Sequence, residues 1–395
     1  MNRSGGAEEN TWASCVHQAT SGHEVHLYCG RSSDVDEYRG RNTSVMVHLV
    51  PELVRDVAPK DDLAAYRKLS ELFATLRPDI VHTHTSKAGI VGRLAASNAK
   101  VPAIIHGVHI LPFSNVGMAE RLIYLSAEHA VAPMTDHFVH VSHGTRKAYG
   151  IAQIGNRRLH SVVRSGMDIE QFQTATPPDD WRELLGVGRF DEKPRTILMM
   201  AVLEERKRQY EYIKGFAETT RKGEDIRLLL AGDGPDAGRV RELIRTLDVG
   251  DRVKLLGHRP DPERLVALAD VCSLASLREG LPRTIVQSLA GRRPAVVSPL
   301  RGIEEIVQNG SNGIVVRSKQ AEPVARETVA LLRDPARLAA MTRGAAAASV
   351  EDWKFPSMFA QLDRAYAETL AVPRVAARIS ALEQWRMQRE SFSCA

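Results

Sequence analysis

Short apolar runs alternate with amphipathic segments along the whole of this chain. That alternation confines it to a layered α/β architecture with mainly parallel sheets. In the first half, strands are expected at Glu24–Cys29, Val45–Val50, Ile80–His84, Ala103–His109, His137–Val141 and Leu159–Val163. Glu8–Thr20 reads as a helix with Trp12, Val16 and Ala19 on one face and Gly22 at its end. Asp61–Leu76 carries Leu63, Tyr66, Leu69, Phe73 and Leu76 on one side, and Met118–Val131 reads as a third helix. The polar, proline-containing stretch Gln173–Asp180 interrupts the pattern as a linker would. Strands then resume at Thr196–Ala201, Arg227–Ala231, Arg252–Leu256, Val271–Leu274, Ala295–Ser298 and Gly313–Val316. A late helix spans Trp353–Leu370, and the basic, alternately apolar tail after it has no role that helical pattern alone assigns.

A chain of 395 residues with 43% hydrophobic content can fill two cores, so two domains are expected. No apolar stretch approaches the ~20 residues of a membrane helix, and the polar N-terminus lacks a signal-peptide core. Cys15, Cys29, Cys272 and Cys394 are scattered without a Cys-x-x-Cys pair, which suits free thiols in the cytosol. The net charge of +5 suits nucleotide phosphates or an anionic membrane face. Nucleic acid fits poorly, because no basic run is interleaved with aromatics.

The most informative segment runs from Ser276 to Ala290. Glu279 stands beside Gly280, Leu281 and Pro282, ahead of Ile285, Val286 and Leu289 at helical spacing. Glu279 is therefore expected at a helix start, where backbone N–H groups favour anionic ligands. Gln287 lies eight residues on, about two turns along at ~1.5 Å per residue. Around this segment stand Leu228–Pro235 (LLLAGDGP), Val253–His258 (VKLLGH), Pro294–Ser298 (PAVVS) and Asn312–Val316 (NGIVV). In order and spacing these resemble the donor-binding domain of the GT-B-fold, family 4 retaining glycosyltransferases. The family's signature is a Glu, seven residues and a second Glu; here Glu279 is the first and Gln287 replaces the second. In the N-terminal half, His82–Ala95, Ser4-Gly5-Gly6 and Gly22–Val25 are similar to bacterial surface-polysaccharide members.

The resemblance implies two Rossmann-like domains facing across a cleft: an acceptor-binding domain over 1–175 and a nucleotide-sugar domain over 176–352. Residues 353–395 would form a helix returning to the first domain and a basic tail. It implies retaining, metal-independent hexosyl transfer from a UDP- or GDP-linked donor to a lipid-linked saccharide acceptor in surface polysaccharide synthesis. The setting would be cytoplasmic, peripheral on the inner membrane face. Lys207 matches the family's phosphate-binding lysine; the partner arginine aligns with Val202 and is missing. Arg206 and Arg208 are nearby, but a side chain two residues off is expected to point elsewhere. Glu279 would accept hydrogen bonds from the donor sugar, helped by Gly280 and Leu281. Gln287 would hold the ribose. Gly5, Gly6, Gly232 and Gly234 would line the donor, with His258 and Arg259 by the base. His109 would approach the reacting sugar. Ser86 and Lys87 open a helix after a strand, a fair place for an acceptor phosphate. His82 and His84 alternate along a strand, with one expected to pack inward. His106 and His109 have no third ligand spaced nearby, so no metal is expected.

Only Met1, Asn2 and Arg3 precede the Ser4-Gly5-Gly6 turn, where family members carry a full strand. The fold is thus expected to lack its first strand, and an upstream start encoding a short apolar strand is the favoured explanation. With Val202 and Gln287, this keeps open a non-catalytic GT-B subunit or a degenerate transferase. A GT-B nucleotide-sugar epimerase fits less well, for want of acid/base groups elsewhere. Replacing a carboxylate by an amide at 287 exchanges charge-assisted hydrogen bonds for neutral ones, a loss of about tenfold in affinity. Gln287→Glu is therefore expected to tighten donor binding about tenfold by calorimetry; unchanged or weaker binding would mean that Gln287 has another use.

Overall fold

The computed structural model describes residues 6–31, 33, 35–41, 44–188 and 191–393. Ser4, Gly5, Cys394 and the expected strand position at Met1–Arg3 lie outside them. The chain divides into two compact units, Met1–Met167 with Phe355–Ala395, and Asp168–Lys354. Both are α/β with parallel sheets.

The first unit holds β1 (Val25–Cys29), β2 (Val45–Leu49), β3 (Ile80–His84), β4 (Ala103–Val108), β5 (His137–His140) and β6 (Leu159–Val162). The second holds β7 (Arg195–Met200), β8 (Ile226–Ala231), β9 (Val253–Gly257), β10 (Val271–Leu274), β11 (Ala295–Val297) and β12 (Gly313–Val315). Every expected strand is present with its ends within one residue. The second unit's sheet runs β12-β11-β10-β7-β8-β9. Successive strands thus wind outward from β7 in one direction and, after β9, from β10 in the other. The order reverses between β7 and β10, and ligands of such sheets bind beyond the carboxyl ends of the strands there. Tyr212, Ile213 and Phe216 of the Gln209–Thr219 helix and Val324, Ala325 and Val329 of the Ala321–Leu332 helix pack on Ile197, Leu228 and Leu230.

The first unit divides its strands between two sheets, β1-β2 and β3-β4-β5-β6. Among the described residues β1 pairs only with β2, and β3 only with β4. The Gly6–Thr20 helix covers the β1-β2 pair with Trp12, Cys15, Val16 and Ala19. On the larger sheet, Met358, Leu362 and Ala365 of the Phe355–Leu370 helix pack against Ile105, Val139 and Val163. The tail without an assigned role forms one more helix, Pro373–Ser393. Arg374 and Arg378 reach the buried Asp136 carboxylate at 3.2 and 2.7 Å, and Arg386 reaches Asp79 at 3.0 Å. Asp79 and Asp136 immediately precede β3 and β5, so the tail's basic residues clamp it to the amino ends of the strands. The Arg77 guanidinium stacks over Trp385 at 3.2 Å.

One ion pair is fully enclosed. Arg93 (0% exposed) on the Ser86–Asn98 helix makes a two-pronged contact of 3.0 and 3.1 Å with Glu128 on the Met118–Val131 helix. Its Nε also donates to the Gly89 carbonyl at 2.9 Å. Burial pushes the Glu128 pKa up, and Arg93 opposes it. Removing one partner of such a pair leaves an uncompensated buried charge. Arg93→Leu is expected to destabilise the protein by about 3–5 kcal/mol in urea unfolding; a loss under about 1 kcal/mol would show that Glu128 finds another partner.

Candidate functional site

The loops leaving β7 and β10 meet at the reversal point of the second sheet. After β7 the chain makes a short 3₁₀ turn, Glu205–Lys207. Lys207 Nζ lies 2.5 Å from Glu279 Oε1, and Arg206 Nη1 lies 3.4 Å from Glu279 Oε2. Arg206 also pairs with Glu204 at 2.7 Å, and the Leu277 N–H donates to the Arg206 carbonyl at 2.9 Å. Burial would raise the Glu279 pKa, but Lys207 and then Arg206 outweigh it and hold the carboxyl below its ordinary range. Glu279 stays ionised, 11% exposed, between two cations.

Glycines make this meeting possible. A Cβ on Gly232, whose φ is +140°, would stand 2.1 Å from the Ala201 carbonyl oxygen, and one on Gly234 would stand 2.4 Å from that of Leu203. The Leu203 N–H donates to the Asp233 carbonyl, and the Asp236 N–H to that of Leu203, both at 3.0 Å. The glycine turn after β8 thus braces the loop that carries Arg206 and Lys207.

Three expectations need correction. The helix begins at Arg283 with Pro282 before it, so Glu279 sits on the preceding loop and caps no N–H. Gln287 alone is on the helix, half-buried, with its side-chain amide making no hydrogen bond among the described residues. Arg206 does not point elsewhere, because the 3₁₀ turn rotates it onto Glu279 beside Lys207. Arg208 takes a left-handed backbone (φ 61°) and donates instead to the Lys319 carbonyl. Val202 is 40% exposed. Gly280 and Leu281 are buried beside Glu279, and His258 is exposed. The Arg259 guanidinium is bound by Asp261 at 2.7 Å and Asp180 at 3.2 Å. It therefore ties the 173–180 segment to the second unit, as Arg264 does through Asp179.

In the first unit, Gly6 opens the first described helix. Thr85 follows β3 with φ 64°, an uncommon conformation for a β-branched residue, and turns the chain so that Ser86 starts a helix. Lys87 Nζ is 2.5 Å from Asp62 Oδ1 and also donates to the Asp56 carbonyl. An acceptor phosphate would have to compete for that ammonium. His82 and His84, two residues apart, share one face of β3 rather than dividing between faces, and their rings stand 4.3 Å apart. His84 Nδ1 lies 2.8 Å from His109 Nε2, and His82 Nδ1 lies 2.9 Å from the Tyr366 hydroxyl. His84 pairs in register with Gly107, and a Cβ there would crowd His84, His109 and His82 within 3.3 Å. That register is the signal that links these residues to His109. His106 lies on the opposite face, against Thr83 at 2.9 Å. No group of three metal-ligating side chains is arranged for an ion among the described residues.

Residues 182–348 match the model for glycosyl transferases group 1, and residues 5–166 match that for the glycosyl transferase 4-like domain. The UDP-Gal:α-D-GlcNAc-diphosphoundecaprenol α-1,3-galactosyltransferase of Escherichia coli is 29% identical over 300 residues, 74% of this chain and 76% of that protein. The capsular polysaccharide biosynthesis glycosyltransferase CapM of Staphylococcus aureus is 23% identical over 79% of this chain and 81% of its own length. Among solved structures, Anabaena HepE in complex with UDP and glucose superposes with a TM-score of 0.75 at 19% identity, covering 93% of this chain and 97% of that one.

All histidines except His258 lie in the first unit. Burial pushes His109 and His137 down to about 4 and His82 to about 3, and holds His84, His106 and His140 well below the ordinary range. His109 is thus a neutral hydrogen-bonding group at neutral pH. The unfolded chain takes up protons below its ordinary imidazole value of about 6.5, and the folded unit does so only near 4 and lower. Stability is therefore constant above about pH 6.5 and falls as the pH drops toward 4. Each such histidine contributes up to about 1.4 kcal/mol per pH unit. Urea unfolding at pH 7 and pH 5 is expected to show the first unit losing several kcal/mol while the second holds; equal sensitivity of the two units would refute the assignment.

Proposed function

The chain belongs to the GT-B-fold family 4 glycosyltransferases, and from that premise we propose that it is a retaining, metal-independent hexosyltransferase. Its donor would be a nucleotide-sugar held by the second unit, and its acceptor a lipid-linked saccharide in surface polysaccharide synthesis. Support for UDP as the nucleotide comes from HepE, solved with UDP and glucose, and from the E. coli relative, named for UDP-Gal. The diphosphoundecaprenol in that same name supports the lipid-linked acceptor.

The observation that carries the reading is the convergence of Lys207, Arg206 and Glu279 at the carboxyl ends of β7 and β10. Breaking the bond between the sugar and the diphosphate builds negative charge on the leaving group. Lys207 is positioned to meet that charge, with Arg206 supplying the second cation that Val202 does not. Glu279, kept ionised between them, would accept hydrogen bonds from the sugar hydroxyls. Gly280, Leu281, Gly232 and Gly234 would bring backbone close to the donor, Gln287 would hold the ribose, and His258 would stand by the base. In the first unit, neutral His109 would contact the reacting sugar, and Ser86 and Lys87 the acceptor. The acceptor hydroxyl would lose its proton to an oxygen of the departing diphosphate, so no protein nucleophile is required. The half-buried Gln287 and exposed Val202 favour one other reading, a non-catalytic GT-B subunit.

A nucleotide-sugar hydrolysis screen decides between them, since turnover of any donor would exclude the non-catalytic reading. With the cognate donor, Lys207→Ala is expected to lower turnover about 10²–10³-fold while leaving the urea midpoint unchanged; turnover within about threefold of wild type would sink the Lys207 assignment.

A further inference from the structure

We propose that His84 is a positioning residue: its ring fixes the proton of His109 on Nδ1 and so makes His109 a hydrogen-bond donor toward the reacting sugar. The inference rests on the reading of His109 as a group that meets that sugar. It gives His82, His84 and Tyr366 a use that the reading leaves open. Register brings these residues together. His84 pairs across the ladder with Gly107, and His109 directly follows the strand that carries Gly107. Three ring nitrogens border the space left by the missing Cβ of Gly107. A Cβ there would stand 2.8 Å from His84 Nδ1 and 3.3 Å from both His109 Nε2 and His82 Nε2. His84 Nδ1 and His109 Nε2 are hydrogen-bonded at 2.8 Å. His82 Nε2 is buried and has no hydrogen-bond partner among the described residues, while its Nδ1 lies 2.9 Å from the Tyr366 hydroxyl. Tyr366, on the Phe355–Leu370 helix, stands edge-on to the His82 ring.

Proton placement follows from which nitrogens have partners. Burial keeps all three imidazoles neutral near pH 7, so each ring carries one N–H and one bare nitrogen. A buried N–H without an acceptor is the costlier orphan. His82 is therefore bare at Nε2 and donates from Nδ1 to the Tyr366 oxygen, whose own hydrogen rotates aside. The bare His82 Nε2 borders the same space as His84 Nδ1. A second bare nitrogen there would set two lone pairs against one space, whereas an N–H on His84 Nδ1 directs a hydrogen into it. His84 thus donates from Nδ1, and His109 accepts at Nε2. The proton of His109 is left on Nδ1, a nitrogen that makes no hydrogen bond among the described residues. The bond made by one nitrogen of an imidazole thereby decides what the other offers a ligand. His106 takes no part, since it faces Thr83 across the strand.

Long-range 1H–15N correlation on the full chain, labelled at its histidines and held at pH 7 without ligand, reads the tautomer directly. His109 is expected to show a protonated Nδ1 and a bare Nε2; a bare Nδ1 would overturn the proposal. Wild type alone carries this test, so it stands even where a variant fails to fold. His84→Leu removes the donor and is expected to return His109 to the tautomer mixture of a free imidazole. His84→Asn, whose amide can place an N–H where Nδ1 stood, is expected to keep the wild-type signature. Hydrolysis of UDP-glucose and UDP-galactose supplies the second readout. His84→Leu is expected to lower kcat/KM about tenfold, the worth of one neutral hydrogen bond, with UDP affinity by calorimetry unchanged. His84→Asn is expected to recover most of that loss. A wild-type His109 tautomer or wild-type turnover in His84→Leu would overturn the proposal, as would His84→Asn no better than His84→Leu. If no form hydrolyses either nucleotide-sugar, the tautomer decides the proposal and the failure counts against the transferase reading alone.

Discussion

A single carboxylate ties together the two loops on which the second unit's site depends. Glu279 leaves the end of β10 and is met by Lys207 and Arg206 from the end of β7. These two strands flank the point where strand order reverses, beyond whose carboxyl ends ligands of such sheets bind. Without the carboxylate, two cations would stand side by side with no counter-charge. Without the cations, burial would drive the carboxyl toward its protonated form. The cations thus hold the carboxylate ionised, and the carboxylate supplies the counter-charge that brings them together.

The backbone underneath is equally constrained. Gly232 and Gly234 let the turn after β8 approach the β7 loop at distances that no side chain permits. In the first unit Gly107 plays the same part, since its missing Cβ is the space in which His82, His84 and His109 gather. In both units an absent side chain on one strand lets polar groups from its neighbours approach one another. The histidines pack at the cost of being unable to protonate at mild acidity. The enclosed Arg93–Glu128 pair and the clamp of Arg374, Arg378 and Arg386 on Asp136 and Asp79 hold the surrounding helices to the same sheet.

Twelve strands were legible to within one residue, because each is a short apolar run bounded by polar or glycine-containing turns, and period and boundary are local properties. The pairing of Glu279 with Lys207 was legible only as two separate motifs, each matched to a family pattern. Arg206 escaped, because its direction depends on a 3₁₀ turn that sequence spacing does not reveal. Arg259 and Lys87 read as free cations near ligands. Lys87's partner Asp62 and the second of Arg259's two carboxylates, Asp180, come from segments 25 and 79 residues away, brought close only by folding. Asp261 stands two residues from Arg259, but spacing alone did not show that the two pair. The basic, alternately apolar tail had no role that helical pattern assigned, because three of its arginines serve two aspartates at strand starts.

What the amino-acid order determined by itself was the alternation of strand and helix, the parallel layering, the two-unit division and the family. The first three follow from hydrophobic period and turn chemistry over windows of a few residues, and the family from the resemblance of motifs such as Glu279–Gln287. What only the tertiary structure decided was which charges meet. An ion pair's geometry depends on strand order, on register and on the close approach of glycine backbones. Those are set by packing the whole sheet, and a one-residue change of register would send every side chain of a strand to its other face.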